Sequence, residues 1–131
     1  MLPTEEQEQV AVARFLRRAG VLFTHPPNGG YRSKAAGARM KRLGTSPGVP
    51  DLLIFSPPPN EPERAGVAIE MKRRKGGTVS LAQERWMRGL KDNGWIAFVA
   101  QGAEEAILRL RELGYGVASP EANAQPSPAP Q

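Results

Sequence analysis

Apolar positions recur along this chain with two different periods. Between residues 4 and 19, Val12, Phe15, Leu16 and Ala19 fall at helical spacing, which predicts an amphipathic helix. Thr4 stands where an N-cap belongs, and Glu5 and Glu6 occupy the first turn, where the helix dipole favours acids. Gly20 ends the helix. Glu8 lies four residues before Val12, so it projects from the apolar stripe or its edge, an odd place for a carboxylate without a partner. A short apolar segment over residues 21–25 reads as a strand, and the P-P-N-G-G of residues 26–30 as a turn-rich loop. Residues 33–43 predict a short basic helix closed by Gly44.

The period then changes. Residues 51–55 read as a strand opened by Pro50 and stopped by three prolines, with residues 56–65 as a polar surface hairpin loop. Residues 66–72 form the next strand. Val67, Ile69 and Met71 alternate with Gly66, Ala68, Glu70 and Lys72, which puts Glu70 and Lys72 on one face and the core on the other. After the Gly76-Gly77 turn, Ser80 caps a helix to about residue 93, with Leu81, Trp86, Met87 and Leu90 on its apolar side. By this phase Trp86 and Trp95 belong to the core. Residues 95–100 are a nearly continuous apolar run, as in a strand buried on both faces. Residues 103–113 predict a last amphipathic helix, and residues 115–118 an added edge strand. From residue 119 the chain is Pro, Ala, Gln and Ser without periodicity, which reads as a disordered tail after one domain over residues 1–118. The order of elements predicts an α/β fold, a mixed sheet flanked by helices.

Composition narrows the chemistry. A chain of 131 residues supports one core rather than two. No apolar run approaches the roughly 18 residues of a membrane span, and the polar, acidic start is unlike a signal peptide, so a cytoplasmic protein is expected. The absence of Cys and the single His, His25, remove thiolate sites, His-rich zinc sites and His-pair catalysis. Any metal must then be held by carboxylates and carbonyls, which suits Mg²⁺ or Mn²⁺. The net charge is +5, and its distribution is uneven. Between Gln9 and Pro50 there is no acid and there are eight basic residues, among them Arg32, Lys34, Arg39, Lys41 and Arg42. Lys72-Arg73-Arg74-Lys75 form a second cluster. Such faces suit a polyanion, nucleic acid first; the plainer alternative is a solvated basic surface.

Asp51 at the mouth of a strand is either a turn-closing residue or a ligand. Glu70 is harder to explain structurally, because burying a lone carboxylate requires a cation or a raised pKa. Lys72 could be that cation. A divalent metal held by Asp51 and Glu70 accounts for both acids together, with Lys72 left to orient a water or neutralise a phosphate. Gln83 is also open to two readings, since Ser80-Leu81-Ala82-Gln83 is a capping box. Asn28, in the sequence P-N-G-G-Y-R, serves either turn chemistry or a ligand.

Pro50-Asp51 followed by Glu70-Met71-Lys72 resembles the P-D…(D/E)-x-K signature of the restriction-endonuclease-like superfamily. The surrounding P-N-G-G-Y-R, K-R-L-G-T-S-P-G-V-P-D-L, I-E-M-K and S-L-A-Q, and a helix ending in N-G, resemble its VRR-NUC (virus-type replication-repair nuclease) branch, in particular the small stand-alone members of phages and bacteria. The similarity runs from about Glu5 to Leu113. The long Pro-rich gap between Asp51 and Glu70 is a departure, read as an elongated hairpin. The resemblance implies a Mg²⁺- or Mn²⁺-dependent deoxyribonuclease. Asp51, Glu70 and the main-chain carbonyl of Met71 would bind the metal. Lys72 would position the attacking water, with Gln83 assisting, and a helix-1 glutamate, Glu8 before Glu5, would complete the site. Asn28, Arg32, Lys34, Arg39, Lys41, Arg42, Arg73, Arg74 and Lys75 would contact DNA, chiefly phosphates, which position without specifying sequence. The family further implies branched, flapped or four-way junction substrates, a homodimer, and replication or repair proteins as partners. A non-catalytic DNA-binding module of the same fold is the second reading. A sequence-specific restriction enzyme ranks last, since 131 residues leave no room for a recognition domain.

Overall fold

In a computed structural model that describes residues 1–27 and 33–117, the first helix, α1, spans Glu5–Arg18. Thr4 caps it through a reciprocal box in which its hydroxyl accepts from Gln7 N–H and the Gln7 side chain accepts from Thr4 N–H. Val12 and Leu16 are fully buried, and Glu8 is buried with them. The next strand, β1, is only Phe23–Thr24. A short basic helix, α2, covers Lys34–Arg42 with Ser33 as N-cap. No residue of α2 is buried, so local capping and solvation hold it rather than core packing.

The strands β2 (Leu52–Ile54) and β3 (Val67–Lys72) pair antiparallel, with Leu52 opposite Ile69. Helix α3 (Leu81–Asp92) then crosses over, and β4 (Ile96–Gln101) returns parallel to β3. The last helix, α4, is Ala103–Glu112. The sheet order is β1-β2-β3-β4, antiparallel except for the β3–β4 pair. This is the mixed α/β sheet flanked by helices that the periodicities predict.

Helices α1 and α4 pack together against one side of the sheet, where Val12, Leu16, Ile54, Ile69, Met71, Leu110 and Tyr115 form the main core. Burial of each large aliphatic side chain here stabilises the fold by roughly 1.5–3 kcal/mol. Helix α3 covers the other side, where Ala68, Met87 and Ala97 make a smaller cluster. The alternation expected for β3 holds, with Val67, Ile69 and Met71 in the main core and Glu70 beside Lys72 on the other face, but helices cover both faces, so Ala68 and Glu70 are buried as well.

Residues 56–65 form the expected surface hairpin loop between β2 and β3, largely exposed but tied to the C-terminal turn. Pro58 is buried, Asn60 bonds the Glu112 and Leu113 carbonyls at 2.9 Å each, and the Tyr115 hydroxyl donates to the Ser56 carbonyl at 2.6 Å. Residues 113–116 are turn, so no edge strand forms among the described residues there; Tyr115 is spent on the core and on that loop. Trp86 and Trp95 are both half-buried, and of the two Trp95 packs against the smaller core cluster. Asn28, Arg32, residue 118 and the tail over residues 119–131 lie outside the described residues.

Candidate active site

Glu70 is carried by the inner strand β3 and closed over by α3. Its residue exposure is 2%, and its two oxygens are treated differently. Oε1 accepts from Gln83 Nε2 at 2.8 Å and lies 3.5 Å from Lys72 Nζ. Oε2 is buried and has no hydrogen-bond donor. Burial and then the charge of Asp51 push the Glu70 carboxyl up to about 8, against the smaller opposing pull of Lys72. An acid poised this way is protonated at neutral pH unless a cation joins it.

Asp51 sits just before β2 and is half-buried. Its Oδ2 accepts the Met71 N–H at 2.8 Å, which ties the two acidic strands together. Continuing the Leu52–Ile69 register places Pro50 opposite Met71. Proline has no N–H to offer the Met71 carbonyl, whose direction along a strand matches that of the Met71 N–H. Lys72 turns its own carbonyl the other way, to Gly102 N–H at 3.0 Å. The proline of the P-D pair thus frees one side of the ladder just where the aspartate needs it.

Gln83 makes the cap and also reaches the acid and the lysine of β3. Its Oε1 accepts from Ser80 N–H at 2.9 Å and from Lys72 Nζ at 3.3 Å, while its Nε2 donates to Glu70. One amide caps α3 and joins the two charged groups of β3. Asp51, Glu70, Lys72 and Gln83 are brought together, with the Met71 backbone between them.

Glu8 is placed differently. Its oxygens accept from Arg74 Nε at 3.0 Å and Arg74 Nη2 at 3.2 Å, and Arg74 stays exposed while paired with it. Among the described residues no group of three or more His, Cys, Asp or Glu side chains is assembled for a metal. Glu8 therefore braces the turn that follows Lys72 and leaves the acid pair as Asp51 and Glu70. Glu5, Lys72, Arg73, Lys75 and Gly77 line an open cleft of about 560 Å³ beside the N-terminus of α1. Arg73 and Lys75 are exposed there, and Lys34, Arg39, Lys41 and Arg42 are exposed along α2.

Three positions were not singled out from sequence. His25 Nδ1 donates to the Asp51 carbonyl at 2.6 Å, a contact that pairing of β1 with β2 brings about and that spacing 26 residues apart does not reveal. Gly48, at φ +90°, packs so closely on the first turn of α3 that a Cβ would meet the Ala82 carbonyl carbon at 2.5 Å. Gly102, at φ +98°, backs the Glu8–Arg74 pair, with room for no Cβ within 2.5 Å of Glu8 Oε2. For Gly48, its place two residues before Pro50-Asp51 was the visible signal.

The residues present fit a hard divalent cation. Two carboxyl groups adjoin one another, an oxygen of one is buried without a donor, and the Met71 carbonyl stands beside them with a proline opposite. Such an acid pair on a mixed, helix-covered sheet defines a nuclease-type α/β fold. The comparisons agree. The chain belongs to the VRR-NUC domain family, whose model matches residues 3–104. A solved structure described as "VRR_NUC domain protein" has the same fold, with a TM-score of 0.70 at 24% identity over 86% of this chain and 88% of that one. None of the curated proteins matches the sequence. No helix among the described residues is long and apolar enough to cross a membrane.

Proposed function

We propose that this protein is a Mg²⁺- or Mn²⁺-dependent DNA endonuclease acting on branched, flapped or junction DNA. The observation that carries the reading is the buried Glu70 Oε2, which has no donor and faces a second acid. Asp51, Glu70 and the Met71 carbonyl would hold the ion, which when bound supplies Lewis-acid polarisation of a phosphate oxygen and acidifies a water.

The chain's own residues do the rest. Asp51 and Glu70 fix where positive charge is held, and the Asp51–Met71 bond keeps their strands in register. The Lys72 ammonium, 3.5 Å from Glu70 and only slightly exposed, orients the attacking water and offsets charge growing on the phosphate. Gln83 fixes Glu70 and Lys72 relative to α3, whose positive N-terminal end points the same way. The exposed cations of α2, with Arg73 and Lys75, contact phosphates and hold the strand. A homodimer suits a symmetric junction.

Plasmid nicking and junction cleavage with Mg²⁺, Mn²⁺ and EDTA test the reading. Cleavage is expected with either ion, none in EDTA, and none for Asp51→Ala or Glu70→Ala. Salt-sensitive DNA binding without any metal-dependent cleavage would instead identify a non-catalytic module.

A further inference from the structure

Both tryptophans of this chain line one open groove. Trp86, Gly89 and Leu90 of α3 and its C-cap Asn93 line it together with Trp95 and Arg85, enclosing about 510 Å³. Both rings are half-buried, and Trp95 is held edge-on by Phe55 with centroids 5.8 Å apart, so its orientation is set before anything binds. Ala82, Trp86, Gly89 and Asn93 recur at helical intervals along one face of α3. That face begins where Gly48, of the loop leading to Asp51, packs on Ala82. The α3 wall of the groove therefore starts one turn past the stretch of helix backbone on which the active-site loop rests. Its α3 residues Trp86, Gly89 and Leu90 stand 3 to 7 positions past Gln83, or roughly 5–11 Å along the helix axis.

We infer that this groove receives an unpaired base of the DNA strand within a few nucleotides of the cleavage site. The inference rests on the nuclease reading and narrows its substrate to DNA with a single-stranded segment beside the scissile bond. A flat aromatic surface stacks any base, and a cation at its rim serves the adjoining phosphate. Among its lining residues the groove holds a cation and no acid, in a chain of net charge +5. That charge favours a polyanion over a second copy of the same basic chain. A base still paired in a duplex offers no free face, so the groove selects for unpaired strand.

Because both tryptophans line the groove, their emission reports its occupancy. The protein is titrated in EDTA, where no cleavage occurs, with single-stranded dT12 and with a blunt 12-base-pair duplex, and binding is followed in parallel by anisotropy of labelled DNA. Expected are quenching of tryptophan emission by dT12, weaker quenching by the duplex, and about a tenfold loss of dT12 affinity in Trp86→Ala with duplex affinity unchanged. Trp86→Phe keeps a ring and retains most of the affinity, which separates lost stacking from lost folding. The inference is overturned if dT12 saturates the protein without quenching, or if Trp86→Ala binds dT12 as tightly as the parent. It is also overturned if emission changes with protein concentration alone, which would give the groove to a second copy. A protein that cleaves DNA without quenching loses the groove and keeps the nuclease assignment; one that quenches and never cleaves does the reverse.

Discussion

Gln83 donates from Nε2 to the buried Oε1 of Glu70 at 2.8 Å while its own Oε1 caps the Ser80 N–H. Helix initiation and carboxylate placement are one hydrogen-bond system, and mutations can separate them. Ser80→Ala removes the hydroxyl that accepts from Gln83 N–H and leaves the Glu70 contact in place. It is expected to cost about 1 kcal/mol, a fall in Tm of roughly 4 °C, with cleavage largely kept. Gln83→Ala costs a similar amount of stability and lowers kcat about tenfold or more, because Glu70 and Lys72 lose their shared partner. Thermal melts and single-turnover cleavage of both variants decide the matter. Equal activity in the two would show that the bridge to Glu70 contributes nothing beyond the cap.

On the proposed function Asp51 has two tasks, pairing with Met71 N–H and holding the ion, and an isosteric change divides them. Asp51→Asn keeps an oxygen for the Met71 N–H, so strand pairing survives. It also removes the like charge that helps push the Glu70 carboxyl up. The variant is expected to melt at or above the parent's Tm in EDTA while losing Mg²⁺- or Mn²⁺-dependent cleavage by three orders of magnitude or more, on the order of 4 kcal/mol of transition-state stabilisation. A large drop in Tm would assign Asp51 mainly to structure.

The raised Glu70 carboxyl makes the metal-free fold sensitive to pH. Its ordinary value is 4.5 and its folded value about 8, so between these limits the folded protein holds a proton that the unfolded chain has released. Stability in EDTA is therefore greatest toward pH 4.5 as far as this group is concerned and falls as pH rises to 8, by on the order of 2–4 kcal/mol. Glu70→Gln is expected to flatten that slope. Cation binding at pH 7 displaces the proton, so Mg²⁺ or Mn²⁺ affinity rises with pH up to about 8 and then levels. Urea unfolding between pH 5 and 9, with and without Mn²⁺, measures both trends. A slope that persists in Glu70→Gln assigns the pH sensitivity to other groups.

The order of elements was readable because each carries its own local signal: Thr4 and Ser80 cap, the apolar stripe of α1 repeats at helical spacing, and β4 is an unbroken apolar run. The acid pair and its lysine were readable because charges on apolar strands are costly and rarely idle. What was not readable depended on the other half of the fold. The period-2 pattern of β3 names a polar face, yet α3 covers that face and buries Ala68 and Glu70. Trp86 sits in core phase, but the phase marks only which side of α3 faces the sheet, and at the edge of that side a groove is left. Glu8 was recognisable as a buried acid; that Arg74, 66 residues away, is its partner is a fact of packing alone.

Gly48 offers a last test of how the loop before Asp51 is held. A Cβ there would lie 2.5 Å from the Ala82 carbonyl carbon and 2.7 Å from the Gln83 amide nitrogen, against rigid helix backbone, and φ is +90°. Gly44 is also left-handed, at φ +111°, but a Cβ there meets nothing within 4 Å. Gly44→Ala therefore isolates the conformational cost, about 1 kcal/mol. Gly48→Ala adds a collision that can be relieved only by moving the loop off α3, which carries Asp51 away from Glu70. It is expected to lose at least twice the stability of Gly44→Ala and most of the Mn²⁺ affinity, read by calorimetric titration. Gly44→Ala should bind Mn²⁺ as the parent does. If Gly48→Ala retained full metal affinity, the position of Asp51 would not depend on this contact.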